Sequence, residues 1–261
     1  MVKFGIMKAD TNIVPCLSEI PEGAEKIVIA VHGFTSSKES ATVQMLLQKL
    51  PAAGLGVIGI DLPAHGKEQA LEEELRIDGA LDSIAAAEGF ITERWPDAGI
   101  CYFGSSFGAY LLGLYISTRP HKGRKAFFRS AAVNMPSLFI KKDPTEQEKL
   151  LLKEMEEKGF IMADLGGDSS VRVTKALFDG LLVNDLFEKF DPGRFGPHKI
   201  AMAHGSADNI IDPAAAKAFA ERFNIPITMF ESKGHSLGDG PDDDTPLKVA
   251  DLAIRLFKEQ A

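Results

Sequence analysis

Two cysteines, Cys16 and Cys101, are all that the chain carries in 261 residues. There is no spaced cysteine framework, which argues against a disulfide-stapled secreted module. Cys101 sits inside an apolar run and reads as a buried, reduced thiol. Long hydrophobic runs are missing as well. No stretch reaches the roughly 18 apolar residues that a membrane-spanning helix needs, and the first eight residues, MVKFGIMK, lack the apolar centre of a secretory leader. Positive charge is in deficit, with 29 Lys and Arg against 37 Asp and Glu and a net charge of −8. Nothing forms a basic stripe, so nucleic acid is not an expected partner. Repeats and low-complexity tracts are absent. These absences leave a cytoplasmic protein as the expectation, with no cofactor or metal set in view. Its oligomeric state cannot be read from the chain.

What is present is apolar and periodic. Hydrophobic residues make up 45% of the chain, enough for one large α/β domain with a sizeable core. Residues 2–7 and 13–17, split by Asp10-Thr11-Asn12, predict a hairpin. The run 26–31 is continuously apolar, as a strand buried on both faces should be. It ends in His32-Gly33-Phe34-Thr35. A helix is expected over 39–50, a strand over 56–60 ending at Asp61-Leu62-Pro63-Ala64-His65-Gly66, and an acidic, solvated segment over 68–74. A second helix is expected over 78–94, stopped by Trp95-Pro96. Strands are expected over 100–103, 125–133, 199–203 and 227–230, with helices from 109 to 118, from Asp212-Pro213 and from Thr245-Pro246, the last with Leu247, Ala250, Ile254 and Phe257 on one face. Strand and helix alternate, which predicts a mostly parallel central sheet with helices on both faces.

The rhythm breaks once. Between Asn134 and Pro197 the chain is far longer than an ordinary crossover. It contains a charged helix over about 144–158, two short runs around a Gly166-Gly167-Asp168 turn, and a helix over 174–182. This divides the chain into a core, residues 1–133 and 198–261, and a small helix-plus-hairpin cap insertion, residues 134–197. The alternative is a surface excursion that never meets the site.

The chemistry gathers at strand ends. Gly104-Ser105-Ser106-Phe107-Gly108 joins an apolar strand to a helix and fits a nucleophile elbow, with Ser106 at its tip and glycine needed twice because side chains would collide in so tight a turn. Ser105 has the same hydroxyl, but the glycines flank Ser106 at the required offsets. A serine nucleophile needs a base, a carboxylate to orient that base, and donors for an oxyanion. His235, just past the last strand, is the candidate base. His32 and His204 precede glycines and read as turn-holding residues, His65 as a wall residue, and His121 and His198 as exposed. Asp208 is the candidate carboxylate, since its rival Asp212 precedes Pro213 and reads as a helix cap. Asp208 could also be a plain turn residue. The backbone N–H groups of Phe34 and Phe107 are the candidate oxyanion donors. Their rings could line a pocket or lie in the core. Gly33, Gly104, Gly108 and His32 are expected to support the site.

Taken together, five motifs in order resemble the α/β-hydrolase family across nearly the whole chain. They are His32-Gly33-Phe34-Thr35, Asp61-Leu62-Pro63-Ala64-His65-Gly66, Gly104-Ser105-Ser106-Phe107-Gly108, His204-Gly205-Ser206-Ala207-Asp208 and Gly234-His235-Ser236. Within it the chain looks most like the capped serine esterases grouped with monoacylglycerol lipases and cinnamoyl (feruloyl) esterases. That resemblance implies carboxylic ester hydrolysis through an acyl-enzyme without a metal. Two positions depart from it: Ser105, where these esterases often carry His, and Ala64, where Gly is common. A serine peptidase on short peptides, an acyltransferase and a non-catalytic binding protein are the rival readings.

Overall fold

The computed structural model describes residues 1–7, 13–66, 75–139, 144–164, 170–196, 199–240 and 242–259. The expected turns at Asp10-Thr11-Asn12 and Gly166-Gly167-Asp168, the acidic segment 68–74 and His198 lie outside them. In chain order the elements are β1 (Val2–Met7), β2 (Ile13–Glu19), β3 (Lys26–Val31), α1 (Ala41–Ala52), β4 (Gly56–Ile60), α2 (Ile77–Arg94), β5 (Gly99–Ser105), α3 (Phe107–Thr118) and β6 (Gly123–Arg129). There follow α4 (Met135–Phe139), α5 (Glu146–Lys158), β7 (Phe160–Asp164), β8 (Ser170–Thr174), α6 (Lys175–Val183), α7 (Leu186–Lys189) and α8 (Pro192–Phe195). The chain closes with β9 (Ile200–Gly205), α9 (Pro213–Arg222), β10 (Ile227–Phe230) and α10 (Thr245–Lys258).

The strands form one eight-stranded sheet in the order β1-β2-β4-β3-β5-β6-β9-β10. β2 pairs antiparallel with β1 and β4, and every pair from β4 to β10 is parallel. Side chains alternate between two cores. Ile27, Ile29 and Val31 of β3 face one core, built with α2, α3 and α9, while Val28 and Ala30 face the other, built with α1 and α10. Continuous apolar runs are therefore what these strands require, as both faces are covered. Parallel order sends the carboxyl ends of β3 to β6, β9 and β10 to one edge, where the loops that follow them meet.

Local chemistry explains the boundaries. The Ser40 hydroxyl accepts from Val43 N and starts α1 two residues later than expected, and the helix runs on through Pro51. β6 stops at Arg129, not 133, because Ser130 turns the chain with a φ of 46°. In α10 the buried face is Val249, Ala250, Ala253, Leu256 and Phe257, and Leu247 is exposed. Both cysteines are buried, and burial pushes their thiols up, Cys16 to about 12 and Cys101 to about 11.

The long connection between β6 and β9 has two parts. The first contains α5, with a capping box between Thr145 and Glu148 and a stop at Gly159, followed by the antiparallel β7–β8 hairpin. Met155 of α5 is buried, Leu151 and Leu152 are half-buried against the same core, and Leu150 is exposed. The second part lies on the core. Leu186 packs on Gly113 of α3, Asn184 O accepts from the Tyr110 hydroxyl at 2.7 Å, and Arg194 donates to Ser117 O at 2.7 Å. Helix α3 is apolar all round for this reason, being buried from Phe107 to Ser117. Among the described residues, no helix is long and apolar enough to cross a membrane.

Candidate active site

Ser106 stands between β5 and α3 with φ 54° and ψ −114°, a conformation rarely taken by a residue with a side chain. Its backbone is held there from several sides. Ser106 N donates to Arg129 O at 2.8 Å, and Ser106 O accepts from the amides of Ala109, Tyr110 and Ala132. Glycine is required on both sides, but each for its own neighbour. A Cβ on Gly104 would lie 2.5 Å from Ala109 Cα, at the start of α3. One on Gly108 would overlap the carbonyl oxygens of Val31 and His32 at the end of β3.

His235 Nε2 is 3.0 Å from Ser106 Oγ, and His235 Nδ1 is 2.8 Å from Asp208 Oδ2. A carboxylate only accepts, so Nδ1 carries the proton and Nε2 is left to accept from the serine hydroxyl. The His235 loop approaches β9 across Gly205, where a Cβ would overlap Lys233 O. Ser130 Oγ donates to His235 O at 2.9 Å. Asp208 is saturated. Oδ1 accepts the amides of Ile210 and Ile211, each at 2.9 Å, and Oδ2 accepts His235 and, at 3.0 Å, His204 Nε2. Burial would raise the Asp208 carboxyl. The hydrogen bonds from His204 and His235, the charge of His235 and the Ile211 amide outweigh it and hold the group well below the usual carboxylate range.

On the other side of Ser106 runs the loop after β3. A Cβ on Gly33 would lie 3.3 Å from Ser106 Cβ, so this loop passes against the elbow. Phe34 follows, and Thr35 turns the chain with φ 61°. Two anchors fix the loop to the end of β4. His32 pairs through Nδ1 with Gly33 O at 2.7 Å, and its Nε2 accepts Leu62 N at 3.1 Å. The bond from Leu62 requires an unprotonated Nε2, so the ring is neutral with its proton on Nδ1. Burial first, then the neighbouring His65, pushes His32 down to about 3, against the pull of the Gly33 carbonyl. The second anchor is Lys38, buried, whose Nζ is 2.7 Å and whose backbone N is 2.6 Å from the Asp61 carboxylate. The Phe107 ring is fully buried and meets the Phe34 ring edge-on at 5.4 Å, so Phe107 belongs to the core. The Phe107 amide heads α3, among the first helical N–H groups, which have no intrahelical acceptor.

All nine expected site residues thus lie at one edge of the sheet. Three residues escaped the sequence reading. His204 bonds to Asp208 across four positions as well as to its own turn, through Ile211 O at 3.3 Å. Lys38 lies inside the polar stretch Thr35-Ser36-Ser37-Lys38 and looks like a surface residue. Arg129 ends the apolar strand Ala126-Phe127-Phe128 and reaches behind the elbow. Burial pushes Arg129 down to about 10, partly offset by the charge of Asp208. His121, expected to be exposed, is half-buried among the rings of Tyr102, Tyr115 and Phe195.

Comparison with known proteins agrees with the fold. The sequence model of the family described as serine aminopeptidase, S33, matches residues 22–160. No curated protein matches the chain. Among solved structures, a provisionally named hydrolase from Agrobacterium vitis S4 is 16% identical with a TM-score of 0.80, covering 98% of both chains. Alpha/beta hydrolase domain-containing protein 10 from mouse is 14% identical, with a TM-score of 0.74 over 98% of this chain and 97% of its own. Est1E from Butyrivibrio proteoclasticus with ferulic acid bound is 16% identical, with a TM-score of 0.71 over 97% of this chain and 99% of its own. At these identities the likeness is one of fold.

Proposed function

The chain belongs to the α/β-hydrolase family described as serine aminopeptidase, S33, and from that premise we propose that it is a serine hydrolase of carboxylic esters. One observation carries the reading: an unbroken hydrogen-bonded line from Asp208 through His235 to a serine held at positive φ between two obligatory glycines. A binding protein on this scaffold has no need of that line.

The reaction runs in two halves. His235 Nε2 takes the Ser106 proton as Oγ attacks the ester carbonyl carbon. The carbonyl oxygen becomes an oxyanion and receives the backbone N–H groups of Phe34 and Phe107. Asp208 faces the new imidazolium through Nδ1–H. The tetrahedral adduct expels the alcohol, which takes the proton from Nε2, and leaves Ser106 acylated. Water then gives a proton to Nε2 as its oxygen attacks the acyl carbon. The second adduct collapses as Nε2 returns that proton to the departing Ser106 Oγ, which releases the acid and restores Ser106 and a neutral His235.

In this reading the insertion 134–197 is a cap beside the site, held to the core where Asn184, Leu186 and Arg194 meet α3. The likeness to Est1E with ferulic acid bound supports an aryl or small acyl ester as substrate. Two buried reduced thiols suit the cytoplasm. The family's own description favours a second reading, cleavage of short peptides by the same three residues. Turnover of p-nitrophenyl esters and methyl ferulate, set against aminoacyl p-nitroanilides and with Ser106→Ala as control, separates the two. Ester turnover lost in the variant supports the proposal, and anilide turnover alone supports the peptidase.

A further inference from the structure

Arg129 is a buried cation for which the reaction above has no use. It ends β6, between β5 with the elbow and β9 with Asp208. Its Nη1 donates to Ser105 Oγ at 2.7 Å, and its Nη2 donates to Ser236 O. Ser105 immediately precedes Ser106, and Ser236 immediately follows His235. One rigid guanidinium therefore ties the residue before one partner to the residue after the other. The Arg129 backbone adds to this, since its carbonyl accepts Ser106 N at 2.8 Å. The next residue, Ser130, bonds to His235 O at 2.9 Å.

Burying an arginine is costly unless a carboxylate pairs with it. Among the described residues, no carboxylate lies within ion-pair distance of Arg129. An apolar side chain would fill the same space without that cost. A lysine would supply a point charge but not two N–H groups in a fixed plane. What only a guanidinium provides is a set distance between two acceptors on different loops. We propose that Arg129 is a positioning residue that fixes the separation and angle of Ser106 Oγ and His235 Nε2 by bridging Ser105 and Ser236. The inference also gives Ser105 a purpose: at this position it supplies a short acceptor that Arg129 can reach.

This rests on Ser106 being a nucleophile, so the test reads the nucleophile directly. A small alkyl fluorophosphonate is reacted with the full chain, and the inactivation constants kinact and KI are measured, with the adduct mapped by mass spectrometry. Wild-type protein that takes no label on Ser106 overturns the serine-hydrolase reading itself. With wild type labelled, Arg129→Ala is expected to lose kinact by on the order of ten- to a hundredfold while KI changes little, as misplacement of reacting groups does. Guanidinium ion below denaturing concentrations should recover part of that rate in Arg129→Ala, where methylammonium does not. Arg129→Lys should stay near the Ala rate. A kinact within about twofold of wild type in Arg129→Ala, or a loss that guanidinium leaves unchanged, overturns the inference while the labelled serine stands. If Arg129→Ala does not fold, Ser105→Ala decides, because it keeps the cation and removes one acceptor. A several-fold loss of kinact there supports the bridge, and an unchanged rate contradicts it.

Discussion

His204 Nε2 lies 3.0 Å from Asp208 Oδ2, the same oxygen that accepts His235 Nδ1 at 2.8 Å. Two imidazoles thus share one carboxylate oxygen, and the other oxygen is taken by two amides. Asp208 has no freedom to rotate away from His235. His204→Phe keeps the ring and removes the donor. It should lower kcat by about tenfold or more, equivalent to roughly 1.4 kcal/mol, with KM nearly constant. Steady-state ester kinetics check this. An unchanged kcat would mean that the amides of Ile210 and Ile211 suffice.

Acid should unfold this protein early, and through identifiable groups. His32 is pushed down to about 3 from an ordinary 6.5, and His65 is also pushed down, chiefly by burial. Between those values the unfolded chain binds a proton that the folded chain refuses, so stability falls as pH drops from about 6.5 toward 3. Asp208 adds to the loss at the lower end. Its folded carboxyl lies below the unfolded one, so its contribution is fully present above the ordinary carboxylate range and is lost only below that range, as pH falls through the folded value. Urea midpoints measured from pH 7 to pH 4 should decline steadily. In His32→Leu the decline should be shallower, although the variant starts less stable. An equal slope in both would remove His32 as a cause.

The strain at the elbow should be measurable as stability. Ser106→Gly relieves a φ of 54° and should gain about 1 kcal/mol while losing activity. Gly104→Ala meets the backbone of Ala109 and should cost at least about 2 kcal/mol. Gly89 of α2 is the control, because a Cβ there has nothing within 4 Å, and Gly89→Ala should gain about 0.5–1 kcal/mol from helix propensity. Equilibrium unfolding of the three variants gives the comparison, and equal effects at Gly89 and Gly104 would contradict the packing argument.

Lys38 and Asp61 are both buried and joined at 2.7 Å. Removing one partner leaves an uncompensated charge, so Lys38→Met should cost about 3–5 kcal/mol. Lys38→Met with Asp61→Asn should recover a good part of that stability. Activity should recover less, because the pair also ties down the loop that carries Phe34. Paired unfolding and kinetic measurements distinguish the two effects, and activity that returns in step with stability would show the pair to be structural only.

The residues that the structure brings together at the strand ends each carry an individual signature in the chain. Ser106 was marked by its glycines, His235 by lying past the last strand, Asp208 by its place before the helix at Pro213. The sheet could be read because strands buried on both faces must be continuously apolar. Partnerships between strands could not. Arg129 touches Ser105 only because β6 lies beside β5, and Ser236 only because the loop after β10 folds back over the end of β9, the other neighbour of β6, an order that no local pattern encodes. His204 resembled a turn residue because its partner Asp208 is so near in sequence. Lys38 resembled a surface lysine because its buried partner is 23 residues away. The end of β6 was misjudged since Ala131-Ala132-Val133 is apolar, and only the turn at Ser130 stops the strand.

The most direct test of the central claim is a rapid-mixing experiment with p-nitrophenyl acetate. If Ser106 forms an acyl-enzyme, wild type should release a burst of p-nitrophenol close to one per active site, and acid quenching should trap acetate on the peptide carrying Ser106. Ser106→Ala should show neither. A burst that persists in Ser106→Ala, or acetate trapped on Ser105 instead, would contradict the assignment of Ser106 as the nucleophile.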